Sequence, residues 1–202
     1  MTLKLIVEKL AIDNKKFILS NEIKDYCRRL SLDYLPTIKY LIRNKYLARI
    51  FRGIFYVYSI EERKLGKSEM NSFEILREAL KIKGVKNWYF GLETGLKFNN
   101  LTHEYFTIDY VINDKIFRAK PIIIMGRKVK FYKLSSKMFL FGITKNNTNY
   151  SDSEKTLLDL LYLKHYTKEE FEEIAEELSK AKLLKYSKNY NKRVISIVKE
   201  LK

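Results

Sequence analysis

The chain has 202 residues, a formal net charge of +16, and a composition that is 46% hydrophobic and 14% aromatic. This composition excludes an intrinsically disordered chain, and the longest aliphatic run, residues 122–125, is far too short to span a bilayer. One cysteine and two histidines exclude an internal disulfide framework and a zinc or histidine metal cluster. Since the first residues also lack a signal-peptide cleavage pattern, the sequence predicts an intracellular, cytoplasmic globular protein with no metal, cofactor or membrane segment.

Apolar residues at helical spacing predict three helices near the N-terminus. The first spans residues 3–13, and the second begins near Ser20 or Asn21, either of which can cap it. Cys27 lies on the apolar face of the second helix, where a buried hydrophobic role is far more common than a nucleophilic one. Pro36 suits the first turn of the third helix. The predicted inward residues of this third helix are Leu35, Ile38, Leu41 and Ile42.

A hairpin is predicted after the third helix. From Leu47 the hydrophobic period changes to two, and Arg52-Gly53 provides a turn between two strands rich in β-branched and aromatic residues. The order of helix, turn, helix and hairpin predicts a winged helix-turn-helix over residues 1–60. This fold places one helix in the DNA major groove and a basic hairpin, the wing, on the backbone.

The third helix and the hairpin carry side chains that suit DNA. Between Ser20 and Ile60 there are eight Lys or Arg and three acidic residues, and five of the eight cations lie on this helix or hairpin. Such cations, with neighbouring polar groups, can reach phosphates and base edges. The candidate DNA-binding residues are Tyr34, Thr37, Lys39, Tyr40, Arg43, Lys45, Arg49 and Arg52. The alternative is a small helical domain, or a winged helix that binds protein, without nucleic acid.

The remainder of the chain is predicted to be a linker, residues 61–71, and a second domain, residues 72–202. The polar stretch 59–71 is compatible with a linker or with a short helix. Helices are expected at 72–82, 92–98, 152–165, 168–179 and 192–201. Strands are expected at 105–111, 117–125, 128–134 and 138–144, with the second placed at an edge or broken by Pro121. The sequences Ser151-x-x-Glu154 and Thr167-x-x-Glu170 have the capping-box pattern. The predicted class is α+β, a winged helix followed by a small antiparallel or mixed sheet with helices packed around it.

The positive charge is concentrated in the middle of the chain. Residues 63–150 carry 17 Lys or Arg and 7 acids, against 12 and 7 in residues 1–62 and 11 and 10 in residues 151–202. A long basic region favours a polyanion as partner, because neutralising phosphates releases counterions. The alternative is a compositional bias from AT-rich coding, whose solvated lysines need no partner.

Patterns that indicate catalysis are few. The sequence has no phosphate-binding glycine-rich loop and no Gly-x-Ser-x-Gly motif. The closest nuclease-like set is Glu93, Asp109 and Lys120. Metal-dependent nucleases need two close carboxylates to hold the cation, but position 118, two residues before the lysine, is an arginine. The sequence therefore predicts a protein that is not an enzyme, with a metal-dependent nuclease as the alternative.

Three segments resemble AbiEi-type antitoxins. Residues 89–101 (YFGLETGLKFNNL) are similar to that family's Y-x-G-L-x-S-A-L-x-x-x-G-L segment, and residues 150–159 (YSDSEKTLLD) to its S-x-x-E-K-[AT]-L-x-D segment. The hairpin, residues 49–55 (RIFRGIF), matches its R-[IV]-x-R-G-[VI]-[YF] turn. The segments occur in the family's order. Two positions depart from the pattern: Gly95 replaces the usual alanine, and Asn100 replaces a glycine.

The resemblance implies an antitoxin of a type IV toxin–antitoxin, or abortive-infection, system. Such proteins are repressors that bind inverted repeats in double-stranded DNA upstream of their own operon. Their C-terminal domain counteracts a nucleotidyltransferase-like toxin and assists DNA binding. Carried over to this sequence, the DNA contacts would be Arg49 and Arg52 on the wing and Thr37, Lys39, Tyr40 and Arg43 on the helix. No catalytic residue is implied, and a homodimer on palindromic DNA is expected.

Three hypotheses follow. The main one is a DNA-binding transcriptional repressor of the AbiEi antitoxin type. The second is a metal-dependent nuclease, and the third is a basic module that binds RNA or protein without operator specificity.

Overall fold

The computed structural model describes residues 2–145, 148–163 and 165–201. The chain divides into two compact units, residues 1–84 and residues 85–202, called the first and the second unit. Both contain helices and a β-sheet, so the predicted mixed α+β class is confirmed. No helix in the described ranges combines the length and the apolar character needed to cross a bilayer.

The first unit contains a three-stranded antiparallel sheet in the order β1-β3-β2. Its strands are β1 (Phe17–Leu19), β2 (Leu47–Phe51) and β3 (Ile54–Val57). Its helices are α1 (Thr2–Asp13), α2 (Ser20–Arg29), α3 (Tyr34–Arg43), α4 (Ile60–Leu65) and α5 (Ser72–Ile82). The three helices and the hairpin predicted for residues 1–60 are therefore present. Strand β1 was not predicted, because three residues show no recognisable period and depend on pairing with β3.

The hairpin of β2 and β3 turns at Arg52-Gly53, as predicted. Gly53 has φ +83°, a left-handed conformation that glycine adopts without steric cost. The register pairs Leu47 with Val57 and Phe51 with Ile54, with an irregularity between Arg49 and Phe51. All four residues of β3 are buried because it is the middle strand.

Two details of the helix predictions are wrong. Helix α2 already includes Ser20, and its start is stabilised by Glu22, whose carboxylate accepts the Leu19 backbone N–H at 2.9 Å. On α3, Leu35 is 66% exposed, whereas Thr37 is 2% exposed. Thr37 tolerates burial because its hydroxyl donates to the Asp33 carbonyl at 2.7 Å.

The core of the first unit joins α1, α2, α3 and the sheet. Cys27 is 2% exposed within it, which confirms the predicted buried hydrophobic role. The buried members of this core are Ile6, Leu10, Ile18, Ile23, Cys27, Ile38, Leu41, Leu47, Phe55 and Val57.

The first unit extends beyond the predicted boundary. Residues 61–71 are not a plain linker, since they include most of α4, whose Ser59 and Glu62 form a capping box. Helix α5 begins after the Asn71 cap and packs against β2 and β3. Its buried residues are Ile75, Leu76, Ala79 and Leu80. Because this apolar face covers the sheet, the chain divides after Gly84 and not at residues 61–71.

The second unit contains a six-stranded mixed sheet in the order β6-β7-β5-β4-β9-β8. The pairs β5–β7 and β4–β9 are parallel, and the others are antiparallel. The strands are β4 (Trp88–Phe90), β5 (Ile108–Asn113), β6 (Ile122–Ile124), β7 (Arg127–Lys133), β8 (Ile143–Lys145) and β9 (Asn149–Ser151). The helices are α6 (Leu92–Phe98), α7 (Ser153–Tyr162), α8 (Lys168–Ala175), α9 (Lys180–Ser187) and α10 (Lys192–Glu200).

Several predictions for the second unit need correction. Strand β6 is an edge strand after Pro121, as predicted, but only three residues long. The strand expected at 138–144 is wrong: Ser136–Phe139 form a 3₁₀ turn, and pairing begins only at Ile143. Strand β9 and helix α9 were not predicted.

The C-terminal helices are shorter than predicted. Helix α7 is capped by Asp152, whose carboxylate accepts the Lys155 N–H at 2.9 Å, and not by Ser151. It ends at Tyr162, and Lys164, within the predicted helix, lies outside the described residues. The Thr167–Glu170 capping box of α8 is confirmed.

Candidate nucleic-acid interface

The predicted DNA-binding residues lie on α3, at its C-terminal end and on the hairpin of the first unit. The residues exposed or half-buried there are Tyr34, Lys39, Tyr40, Arg43, Lys45, Arg49 and Arg52. Thr37, the remaining predicted residue, is buried, and its hydroxyl donates to the backbone carbonyl of Asp33. Its assignment to the exposed face is therefore wrong.

Four of the predicted residues come together around one depression. Lys39, Tyr40 and Arg43 reach it from α3, and Arg49 reaches it from β2. The depression has a volume of about 750 Å³, and Pro36 and Ile42 complete its lining. Tyr34, Lys45 and Arg52 lie outside this lining. The structure thus places one face of the helix beside the first strand of the hairpin.

Aromatic contacts hold these side chains in place. The Tyr40 ring stacks on Tyr46 with 6.2 Å between ring centroids and 23° between ring planes. The Arg49 guanidinium lies 5.7 Å from the centroid of Phe55, on the neighbouring strand. The Tyr34 hydroxyl donates to Ser20 Oγ at 3.3 Å, which ties the start of α3 to the start of α2.

The positive charge of this face is not balanced by acidic residues in the same stretch of the sequence. Residues 34–60 contain five Lys or Arg and no Asp or Glu. Among the described residues, no ion pair involves Lys39, Arg43, Lys45, Arg49 or Arg52, and seven acids of the first unit pair with other cations. Those pairs are Lys4–Glu8, Lys9–Asp13, Lys15–Glu22, Lys16–Glu62, Lys16–Glu69, Arg28–Asp25, Arg77–Glu78 and Lys81–Glu78. We call the five cations with Tyr40 the basic face.

The two acids of the nuclease-like set, Glu93 and Asp109, are engaged in other contacts. Both Asp109 oxygens accept from Arg127, and this bond and the negative charge raise the pKa of the guanidinium. Glu93 Oε1 lies 2.8 Å from His165 Nδ1, and the other ring nitrogen lies 2.8 Å from the Tyr132 hydroxyl. Lys120 is exposed ahead of β6. In the part of the chain that the structure describes, no three His, Cys, Asp or Glu are placed to hold a metal ion.

A buried ionic network, which was not among the sequence predictions, lies in the second unit. Asp159 accepts the Tyr89 and Tyr190 hydroxyls, each at 2.7 Å, and Lys155 Nζ lies 3.5 Å from the same carboxylate. Lys155 and Asp159 are both 0% exposed. Burial lowers the pKa of Lys155 against the opposing effect of Asp159, and burial raises the pKa of both tyrosines well above the ordinary value.

The sequence carried one indication of this network. Lys155 and Asp159 are spaced i, i+4 on a helix whose other residues are largely apolar, which is unusual for a solvated pair. Tyr89, Lys155 and Asp159 also belong to the two segments that resemble the antitoxin family. The geometry assigns them a role in the core, since none of the three side chains reaches the surface.

The positions that depart from the family pattern are explained by geometry. A Cβ on Gly95 would lie 2.6 Å from Thr156 Oγ1, so glycine allows α6 to approach α7 with a threonine there. Asn100 has φ +56°, a left-handed conformation that asparagine tolerates better than most residues and that glycine also adopts. Helix α6 and the following turn therefore form in spite of both departures.

Comparison with known proteins gives a likeness of fold. No family model matches the chain, and no curated protein matches it. The crystal structure of the RV2827C protein from Mycobacterium tuberculosis is similar, with a TM-score of 0.61 and 10% sequence identity. The match covers 97% of this chain and 74% of that one. At this identity the likeness concerns the fold alone.

Proposed function

We propose that the protein is a sequence-specific DNA-binding transcriptional repressor whose first unit is a winged helix-turn-helix. The observation that carries the proposal is the basic face, which has five cations, no acid in the same stretch of sequence and no internal ion pair. The order α1-β1-α2-α3-β2-β3 agrees with this fold, in which α3 would enter the major groove.

The residues of the basic face would have different roles. Lys39, Tyr40 and Arg43 lie on the exposed side of α3 and would contact base edges and nearby phosphates. Arg49 and Arg52 on the hairpin would contact the phosphate backbone and fix the register of α3. Thr37 is removed from the set because its hydroxyl is buried.

We further propose that the protein is the antitoxin of a type IV toxin–antitoxin system that represses its own operon. This rests on the three segments that resemble AbiEi-type antitoxins. The second unit would counteract a nucleotidyltransferase-like toxin, and two copies would bind an inverted repeat. This role requires a nucleotidyltransferase-like toxin gene in the same operon, and co-expression of the full chain with that gene should restore growth.

The experiment that tests DNA binding compares the protein's own upstream DNA with a scrambled duplex across a salt series. If each of the five cations neutralises one phosphate, the slope of log affinity against log salt is about −4.5 for one bound copy and about −9 for two copies on an inverted repeat. Preference for the upstream DNA that persists as salt rises, with a defined footprint, supports a repressor. Equal affinity for both duplexes at every salt concentration contradicts it.

A second candidate function rests on the second unit. Residues 115–151 contain nine Lys or Arg and no Asp or Glu. Seven of these cations are exposed: Lys115, Arg118, Lys120, Lys128, Lys133, Lys137 and Lys145. They would make the second unit a binding module for a polyanion without operator specificity. Nucleic-acid binding that is unchanged by Arg52→Ala but lost in Lys120→Ala/Lys128→Ala would favour this candidate.

A further inference from the structure

A partly open cavity of about 240 Å³ lies on the first unit, apart from the basic face. The C-terminal part of α1, the end of β3 and the start of α4 line it, and it opens to solvent. Its apolar walls come from Val7, Leu10, Val57 and Ile60, and the rings of Tyr46 and Tyr58 also line it. The polar and charged residues of the lining are Asn14, Lys15, Lys16, Ser59, Glu61 and Arg63. A pocket that combines apolar and aromatic walls with polar groups can hold a small molecule.

Arg63 is the unusual polar group of this cavity. Its Nε is buried and has no hydrogen-bond partner, and its guanidinium lies 4.3 Å from the centroid of the Tyr46 ring. A buried donor without an acceptor costs free energy, and a guanidinium matches a carboxylate in a two-point contact. Because Nε is closed off from solvent, an anion in the cavity would supply the missing acceptor once the guanidinium turns towards it.

The other charged groups around the cavity are already paired. Lys15 is bonded to Glu22 at 2.7 Å, and Lys16 to Glu69 at 2.7 Å. Glu61 is exposed, and its carboxylate interacts with its own backbone N–H and with Ser59, which lowers its pKa. Among the described lining residues, Arg63 is therefore the cation that has no carboxylate partner.

The cavity is connected to the basic face by two stacked rings. Arg63 lies over Tyr46, and Tyr46 stacks on Tyr40, which lines the depression on the exposed side of α3. A ligand that draws the guanidinium into the cavity removes the contact between Arg63 and the Tyr46 ring, which also stacks on Tyr40 and packs against the core of the first unit. The position of Tyr40 then depends on whether the cavity is occupied.

We propose that this cavity binds a small carboxylate with an apolar or aromatic body, held by the Arg63 guanidinium, and that binding lowers the affinity of the basic face for DNA. The effect on DNA rests on the proposed repressor function, whereas binding of the carboxylate does not. Allosteric coupling between two sites commonly changes affinity 5-fold or more.

The test uses the full chain and benzoate as the probe. The Nε–H group of Arg63, identified by its loss in Arg63→Met, gives a cross-peak in ¹H–¹⁵N spectra that reports the site directly. Benzamide is the neutral control of the same shape. Lys64→Met is the matched control variant, because Lys64 is an exposed cation on the same helix that does not line the cavity.

We expect benzoate to shift the Arg63 Nε–H peak saturably in the wild type and in Lys64→Met, with no such shift by benzamide. Benzoate should also weaken binding to upstream DNA at least about 5-fold at constant ionic strength, but not in Arg63→Met. A peak that does not move, or that moves equally with benzamide, overturns the site. Saturable binding with unchanged DNA affinity overturns the coupling. If the protein binds no DNA at all, the repressor function fails, and the peak shift alone decides the carboxylate site.

Discussion

Replacing Asp159 with leucine should strongly destabilise the second unit. Leucine has the same number of side-chain heavy atoms in the same branched arrangement, but its methyl groups are bulkier than carboxylate oxygens, so overpacking adds to the electrostatic loss. Two buried hydroxyls, those of Tyr89 and Tyr190, lose their acceptor, at about 1–3 kcal/mol each. The Lys155 ammonium, which is 0% exposed, loses its counterion, at about 3–5 kcal/mol. The expected loss is therefore at least about 5 kcal/mol, a large part of the free energy of unfolding of a typical domain.

Two milder variants make this reasoning testable. Lys155→Met leaves Asp159 with both tyrosine donors, so it should cost less than Asp159→Leu. Tyr190→Phe removes one hydroxyl and should cost about 1 kcal/mol. Trp88, the only tryptophan of the chain, is buried on β4 of the second unit, so its fluorescence reports the unfolding of that unit in urea. The reasoning is refuted if Asp159→Leu loses less than about 1 kcal/mol, or if Lys155→Met is the more destabilising variant.

Three further predictions concern the interface, the packing and the pH dependence. Arg52→Ala should weaken the binding of every duplex to a similar degree and reduce the salt slope by about 1 per bound copy. Tyr40→Ala should instead change which DNA sequence is preferred. Fluorescence anisotropy with several duplexes measures both effects. An unchanged DNA affinity in both variants would contradict the proposed interface. The control variant Thr37→Val should have the DNA affinity of the wild type. Gly95→Ala should cost about 1–3 kcal/mol, because the new Cβ would lie 2.6 Å from Thr156 Oγ1, and Thr156→Ala should rescue it in urea unfolding. Burial raises the pKa of Tyr26, Tyr110 and Tyr166 to about 12 each, so the folded state binds these protons more tightly than the unfolded state. The stability that these three tyrosines contribute is thus fully retained below pH 10 and should fall as the pH rises from 10 towards 12. The measurement is the tyrosinate absorbance of the folded protein against pH. A titration curve in which every tyrosine ionises with an ordinary pKa would refute this prediction.

Local sequence patterns predicted the elements whose ends are fixed by local chemistry. Helix α5 begins after the Asn71 cap, and the hairpin turns where Gly53 adopts a positive φ. Pro121 marked the edge position of β6 because proline cannot donate to a neighbouring strand. In each case the deciding residue lies within the element or next to it.

The missed features depend on distant partners. Strand β1 exists because β3 pairs with it, and the short strand β9 because β4, some 60 residues earlier in the chain, pairs with it. The exposed face of α3 was assigned by polarity, but Thr37 satisfies its hydroxyl inside its own helix. The Asp159 network was also out of reach, because its tyrosine partners lie 70 and 31 residues away along the chain.

The composition of residues 34–60 has a consequence for control of the proposed interface. This stretch contains no histidine, cysteine, aspartate or glutamate, the side chains that ordinarily change charge between pH 4 and pH 9. Its charge therefore stays constant over the whole range of pH found in living cells. Acidification therefore cannot change the charge of this surface. A cell could screen that charge through its ionic composition, and could change it through covalent modification, for example acetylation of Lys39 or Lys45.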